Sequence, residues 1–278
     1  FYLFLLPILL VGCSKETEKL SEPSPVGGMI SVHSQREFSD GPLSASAIHS
    51  DVFTRVAGDA VLAYTFEAWT RDANPRCVLH KTVTGTLTEA VFEIALIPGN
   101  YDFLFWADFG KGYYNTSDLR QISFDGIPYM SGSDRDAFAC ALENVRWNGG
   151  NGVGATLKRP LAKLTIQNTT PFITGDKKVS VTYRNVPTRY DVLTGTASAP
   201  VEIRFTFPTT TTGSAAVGED FLFVPTAGKS VSLSITVGDV TKGLDVLQLQ
   251  RNYTTVGLLP SFRKIWIVWC NSLIINIL

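Results

Sequence analysis

The segment Ala60–Trp69 reads AVLAYTFEAW and decides the fold class, because its large apolar side chains stand at every second position. That period of two is typical of a strand with one buried face. Turn-rich stretches separate it from other segments of the same kind, and together they favour an all-β chain of sandwich architecture. Those further predicted strands are Gly28–Gln35, Cys77–Thr86, Leu161–Ile166, Lys178–Asn185, Val201–Phe207, Asp220–Val224 and Ser230–Val237.

Two local structures and one boundary are also predicted. Strands over residues 90–97 and 101–109 flank the turn residues Pro98-Gly99-Asn100, which predicts a β-hairpin. A short helix is predicted at Asp134–Leu142. The glycine-rich stretch Gly149–Gly152 breaks the chain, so we expect an N-terminal sandwich over residues 28–150, a C-terminal sandwich over residues 151–264, and proteolytic cuts near residues 145–157.

The first residues predict a cellular address. Phe1–Leu10 is apolar and has the length of a signal-peptide core rather than a membrane span. Because no Met or basic residues precede it, we expect a signal peptide with a truncated start over residues 1–12. Leu10-Val11-Gly12-Cys13 matches a bacterial lipobox, which predicts lipidation of Cys13, a tether over residues 13–27 and anchoring at the outer membrane. The alternative is an ordinary hydrophobic leader with an incidental cysteine.

Composition restricts the chemistry. The chain has 24 Lys and Arg against 25 Asp and Glu, a net charge of −1, so no nucleic-acid partner is expected. Its three histidines lack metal-ligand spacing, and no serine nucleophile motif occurs. Asp134 and Asp136 could pair as glycosidase carboxylates do, but a solvated surface or a helix cap is the more usual role. We expect neither catalysis nor a cofactor or metal.

Cysteines and aromatic residues leave alternatives open. Cys77 and Cys140 either form a disulfide or remain separate thiols, since the sequence does not establish their proximity. Trp69 and Trp106 lie in predicted strands, where an inward-facing aromatic is usual. Tyr113-Tyr114, in a loop, is the better candidate for an exposed aromatic contact with sugar rings.

Five segments carry a recognisable pattern: Tyr101–Phe109 (YDFLFWADF), Asp134–Phe138 (DRDAF), Lys158–Ile166 (KRPLAKLTI), Val186–Gly195 (VPTRYDVLTG) and Gln250–Thr255 (QRNYTT). Together they resemble the fimbrillin-like surface lipoproteins of the Bacteroidetes. The resemblance covers about residues 13–259. It is closest to an uncharacterised branch of that group. It implies two tandem transthyretin-like β-sandwich domains and a structural or adhesive role in surface pili.

The resemblance further implies maturation by a protease that cuts after Arg or Lys, removes the first strand and lets a neighbouring subunit donate a replacement. Arg36 and Arg55 are the candidate cut points, with Arg36 preferred because it directly follows a predicted strand. The alternative is an uncleaved, tethered monomer. Expected partners are the outer membrane, other pilus subunits and a host or glycan ligand.

The rival function is a non-catalytic surface glycan-binding lipoprotein for nutrient capture. A second open question concerns the apolar tail Ile265–Leu278, which departs from the fimbrillin pattern. It is either the product of a shifted reading frame, a donor strand or a buried final strand.

Overall fold

A computed structural model describes residues 23–36, 61–124, 129–168, 178–207, 216–259 and 268–270. Cys13, Arg55 and most of the tail lie outside the described residues. The first eight strands are β1 Val26–Ser34, β2 Leu62–Thr70, β3 Cys77–Gly85, β4 Glu89–Leu96, β5 Gly99–Asp108, β6 Ile122–Ser123, β7 Ala137–Trp147 and β8 Gly150–Leu157. The next eight are β9 Leu161–Asn168, β10 Val179–Asp191, β11 Thr196–Phe207, β12 Ala216–Phe223, β13 Val231–Val237, β14 Val240–Leu247, β15 Thr254–Leu259 and β16 Val268–Cys270.

Seven of the first eight strands build one pair of packed sheets, whereas the short strand β6 pairs with β10 of the second half. The smaller sheet has the order β4-β1-β8 and the larger has the order β3-β2-β5-β7. Their facing side chains form one apolar core, in which the rings of Phe92 on β4 and Phe105 on β5 lie 6.3 Å apart. The all-β expectation is therefore confirmed, and the alternating segments around β1, β2 and β3 are strands as predicted.

The second pair of sheets repeats this connectivity. Its smaller sheet has the order β12-β9-β15, extended by β16, and its larger sheet has the order β11-β10-β13-β14. In both smaller sheets the first strand of the half is an inner strand: β1 is antiparallel to β4 and parallel to β8, and β9 is antiparallel to β12 and parallel to β15. The two halves are thus built on one plan, although no sequence repeat is visible.

The predicted hairpin over residues 90–109 is wrong, although both of its strands exist. β4 pairs with β1, whereas β5 pairs with β2 and β7 in the opposite sheet. The turn at Pro98-Gly99-Asn100 therefore carries the chain across the core. The physical reason is that β4 and β5 each have an apolar face, and packing these faces against each other buries both.

The predicted helix at Asp134–Leu142 is also wrong. Among the described residues the helical structure is one 3₁₀ turn, Ser133–Arg135, after which β7 begins. Ala and Leu in this segment favour a helix, but β7 pairs with β5 over most of its length. Tertiary pairing overrides local propensity here.

No described helix is long and apolar enough to cross a membrane.

The glycine-rich break lies within the first half rather than between the halves. β8 begins at Gly150, and it runs parallel to β1 as part of the first smaller sheet. Gly149 and Gly150 have φ angles of 83° and 93°, which glycine adopts easily, so they turn the chain from β7 into β8. The passage to the second pair of sheets comes later, at Lys158–Pro160, where Arg159 and Pro160 are buried.

The second core extends to the outer face of the first half's larger sheet. Leu104 and Trp106 of β5 and Ala137 of β7 belong to the same cluster as the second half's interior. The Trp106 ring centroid lies 6.3 Å from that of Tyr190 and 6.4 Å from that of Phe223. The two halves therefore share apolar packing.

Candidate functional site

The strand β1 has hydrogen-bonded neighbours on both sides. It forms eight register pairs with β4, from Val26↔Leu96 to His33↔Glu89, and six with β8. It is also the first described strand along the chain. Its loss would leave β4 and β8 apart, with unpaired backbone groups facing each other across a groove.

Alternate residues of β1 point into the first core. Ile30 and Val32 are fully buried, whereas Met29, Ser31 and His33, which alternate with them, are exposed. The β-branched side chains suit the pleated surface, and their burial provides most of the apolar contact that holds the strand. This alternation is the pattern that predicted the strand from sequence.

The two ends of β1 are held by polar contacts. Near its start, the indole Nε1 of Trp147 donates to the carbonyl of Val26 at 3.2 Å. At its end, the Ser34 hydroxyl donates to the carbonyl of Leu87 at 2.7 Å and lies 3.3 Å from the Tyr64 hydroxyl. Burial raises the pKa of Tyr64, so its hydroxyl keeps its proton at neutral pH.

Arg159 binds the segment that leaves β1. Its Nη2 donates to the carbonyl oxygen of Arg36 at 2.9 Å, and Nε and Nη2 make a bidentate pair with Asp136 at 2.6 and 2.8 Å. Nη1 donates to Oδ1 of Asn252 at 2.7 Å. This group, the Arg159 network, joins the end of β1, the start of β7 and the segment before β15.

Local conformation places these residues. Asn252 has a φ of 61°, a left-handed conformation that Asn tolerates well, and its backbone N–H donates to the carbonyl of Leu161 at the start of β9. Burial raises the pKa of Asp136, and the bond from Arg159 opposes that shift. The network is nearly sealed, since Arg159 and Asp136 are buried.

A second polar cluster lies at the junction of the halves. Oδ1 of Asp220 lies 3.6 Å from Nε of Arg135, and both carboxylate oxygens accept from the Tyr129 hydroxyl at 2.9 Å. The Arg135 guanidinium also stacks against four rings, with centroid distances of 4.3 to 5.7 Å: Tyr113, Tyr114, Phe124 and Tyr129. Burial raises the pKa of Asp220 to about 6, and Arg135 opposes the shift.

The exposed aromatic platform predicted at Tyr113-Tyr114 is not formed. Tyr114 is buried, and its hydroxyl donates to the carbonyl of Arg135. Tyr113 is half-buried, with its hydroxyl 3.3 Å from Asp134. Both rings turn toward the Arg135 guanidinium, which attracts their π faces. Trp106 is buried as expected, while Trp69 is half-buried with Arg120 above its ring.

The paired-acid and disulfide alternatives also have outcomes. Asp136 is neither solvated nor a helix N-cap but paired with Arg159, and Asp134 contacts Tyr113. Cys77 lies on β3 and Cys140 on β7, with two strands between them. That separation is about 14 Å, beyond the Cα distance of about 7 Å that a disulfide tolerates, so the two are free thiols.

Of the two candidate cut points, Arg36 is described and is half-buried. Its carbonyl belongs to the peptide bond that a protease would cut, and Arg159 binds that oxygen. The described residues contain no cluster of three or more His, Cys, Asp or Glu that could hold a metal ion.

Sequence reasoning singled out Asp136, but as a possible paired acid, and it gave no individual role to Arg159, Asn252, Arg135 or Asp220. Asp136, Arg159 and Asn252 do, however, stand in three of the segments that carried the resemblance: DRDAF, KRPLAKLTI and QRNYTT. The structure brings these three segments together. Their place in segments that carried the family resemblance, without a catalytic pattern, was therefore the available signal for a buried structural network.

A family model described as a family of unknown function, DUF6562, matches residues 42–256. The chain belongs to this family. The match begins after β1, so the DUF6562 region includes the two flanking strands of the groove but not the strand that fills it. The comparison with curated proteins yields no match.

Solved structures share the fold. The tip fimbrial protein Mfa3 from Porphyromonas gingivalis, with a C-terminal truncation, is 13% identical with a TM-score of 0.51, covering 88% of this chain and 98% of its own. A proposed adhesin from Bacteroides ovatus is 11% identical with a TM-score of 0.54, covering 88% and 95%. A proposed polysaccharide-binding protein from Bacteroides thetaiotaomicron is 10% identical with a TM-score of 0.55, covering 84% and 92%.

Proposed function

We propose that this chain is a cell-surface protein of fimbrial or adhesive type that assembles by β-strand exchange. The observation that carries the proposal is the place of β1, which is the first described strand and yet lies in the middle of its sheet. A cut behind it frees the strand without interrupting any other described strand. The fimbrial and adhesin relatives of the same fold support the surface role.

Strand exchange has a physical driving force at this site. Removing β1 leaves backbone groups of β4 and β8 unpaired, and each buried unpaired group costs about 1–3 kcal/mol. It also exposes the apolar pockets that Ile30 and Val32 fill. An extended segment from another molecule restores both, as in other cases of β-augmentation.

The finer architecture belongs to the same proposal. The two sheet pairs are tandem transthyretin-like domains, and they follow a signal peptide over residues 1–12 and a tether from Cys13 that ends where β1 begins at Val26. Lipid on Cys13 anchors the chain at the outer membrane, facing outward. Its partners are other pilus subunits and a host or glycan surface. We propose no catalytic role and no nucleic-acid partner.

The experiment compares two arginine variants on the cell surface. Cells expressing the full chain, Arg36→Gln or Arg55→Gln are labelled with radioactive palmitate, and shed surface protein is sequenced from its N-terminus. We expect label at Cys13 in the precursor and a mature chain that begins at Glu37. Arg36→Gln should retain β1, while Arg55→Gln, the matched control, should mature normally.

Other results would change the proposal. A mature start at Val56, lost only in Arg55→Gln, would move the cut to Arg55. Intact, lipidated chains on all surface material, without higher assemblies by electron microscopy, would contradict strand exchange and leave a tethered monomer.

Glycan capture is the second candidate, because one relative of the same fold is a proposed polysaccharide-binding protein. The two tyrosines that the sequence analysis named for sugar contact do not form an exposed pair. Tyr114 is buried, and Tyr113 is half-buried against Asp134. Binding of the intact chain to a polysaccharide array would favour this role over assembly.

A further inference from the structure

We propose that the groove filled by β1 selects its occupant by four inward positions, numbered here by the residues that fill them now. It takes a glycine at position 28, aliphatic residues at positions 30 and 32, and a hydroxyl residue at position 34. The occupant is an extended segment of another protein molecule with this pattern. The inference rests on the proposed strand exchange and specifies which strands that exchange accepts.

Alternation alone does not determine where an incoming strand stops. A slip of one residue turns the apolar side chains to solvent, so it is excluded by burial. A slip of two residues keeps the same face inward and preserves the backbone pairing. The groove therefore needs features at its ends that distinguish one inward position from the next, and both ends of β1 have such a feature.

The first feature is a steric stop at Gly28. A Cβ at this position would lie 2.1 Å from the carbonyl oxygen of Gly150 and 2.7 Å from the Trp147 ring. One obstacle is backbone and the other is a buried indole, so neither gives way easily. The bulge between β1 and β8 falls here as well, since Gly28 pairs with Gly150 and Ile30 already pairs with Val153.

The second feature is a polar clasp at Ser34. This side chain points inward and is buried, with hydrogen-bonding distances of 2.7 Å to the Leu87 carbonyl and 3.3 Å to the Tyr64 hydroxyl. An aliphatic residue here would leave the Leu87 carbonyl without this donor. A strand slipped by two residues places either a side chain at the steric stop or an apolar group in the clasp.

The pattern is specific within this sequence. Only residues 28–34 (GMISVHS) combine Gly, two residues from Ile, Val, Leu and Phe, and Ser or Thr at successive alternate positions. The tail Ile265–Leu278, one candidate donor strand, contains no glycine. A peptide with the sequence of residues 25–36 is therefore the suitable probe, and the tail is not expected to fit this groove.

The test uses the full chain with the substitution Gly28→Ala, which weakens the fit of its own β1. Fluorescent peptides of residues 25–36 are titrated against it, as wild type, Gly27→Ala, Gly28→Ala and Ser34→Val. Gly27 is the matched control, because a Cβ there meets only the Ile94 carbonyl oxygen at 3.9 Å. We expect wild type and Gly27→Ala to bind alike, and the other two to bind about ten- to one-hundred-fold more weakly.

A parallel measurement does not depend on the folding of the variant. The unmodified chain is warmed to just below its unfolding transition, and capture of the same peptides is followed by native mass spectrometry, with the same order expected. Equal binding of all four peptides would overturn the selection rule while leaving strand exchange intact. Binding of none of them, in either format, would contradict the proposed strand exchange itself and the rule with it.

Discussion

At the scale of single residues, Arg159 has the widest reach. Its guanidinium donates hydrogen bonds to three residues that are far apart in the chain: Arg36, Asp136 and Asn252. It also lies 4.9 Å above the Phe138 ring, so its charge is enclosed on a further side. Such a buried and fully engaged cation stabilises only as long as its partners remain, because a buried charge left alone is costly.

Replacing Arg159 by Met keeps most of the side-chain volume but leaves Asp136 as an unpaired buried carboxylate. We expect Arg159→Met to lower the free energy of unfolding by about 3–5 kcal/mol, measured by urea denaturation. Arg184→Met is the control, because Arg184 pairs with Glu202 on the exposed surface and should contribute little. Equal effects of the two substitutions would mean that the Arg159 network is not structural.

Asp220 predicts an unusual pH dependence. Burial raises its pKa in the folded chain to about 6, above the ordinary 3.8, so the folded chain binds this proton more tightly than the unfolded chain does. Acidification from pH 7 to pH 5 should therefore add stability from this group, and that contribution is lost as the pH rises through about 6.

The measurement is the melting temperature across this range for the wild type and for Asp220→Asn. We expect Asp220→Asn to be less stable overall but to gain less on acidification than the wild type. Burial also raises the pKa values of Asp108 and Asp136, so some gain should remain in the variant. Parallel pH profiles would show that Asp220 titrates as an ordinary carboxylate.

At the scale of elements, the first smaller sheet combines two kinds of pairing around one strand. β1 is antiparallel to β4 and parallel to β8. The next described strand along the chain, β2, begins at Leu62 and lies in the opposite sheet. A strand in such a position is held by neighbours from distant parts of the chain. Its attachment can therefore be altered without changing the order of any other strand.

A disulfide between β1 and β4 should prevent strand exchange. Ser31 and Val91 face each other in register, and both are exposed. Cα atoms of such antiparallel partners lie about 4.5–5.5 Å apart, which a disulfide can bridge. We expect the oxidised Ser31→Cys/Val91→Cys variant to capture no β1 peptide, and the reduced form to capture it like the wild type. Capture at equal rates in both forms would show that β1 need not leave the groove.

At the scale of the whole molecule, the two sheet pairs are joined by apolar packing as well as by the chain. Trp106 on β5 is fully buried, and its ring lies within 6.4 Å of rings from both the loop after β5 and the second half. The Arg135–Asp220 pair crosses the same junction. We therefore expect the halves to unfold together.

Trp106→Ala should uncouple them. Removing a buried Trp costs about 3–5 kcal/mol, and here the loss falls on the shared packing. Differential scanning calorimetry should show one transition for the wild type and two for Trp106→Ala. Trp147→Ala is the matched control, since Trp147 is equally buried but packs only in the first core, and it should lower the melting temperature while keeping one transition. Two transitions in the wild type would contradict the coupling.

The amino-acid sequence alone established the all-β class and the positions of many strands. Period-two alternation identified β1, β2 and β3 as strands. It also suggested Arg36 as a point behind the first strand. These features are local, because the side-chain direction of a strand depends only on its own backbone.

Which strands are neighbours is apparent only once the chain is folded. The same alternation fits a strand beside any partner, so it did not distinguish a hairpin at residues 90–109 from a crossing between sheets, or assign Gly150–Leu157 to the first half. The helix-favouring residues of β7 were overruled by pairing with β5. Likewise, Arg159 contacts Asp136 and Asn252 only in the folded chain. These residues are far apart in the sequence, so no local pattern predicts their contact. Pairing and buried polar networks depend on contacts between distant residues, about which a local pattern carries no information.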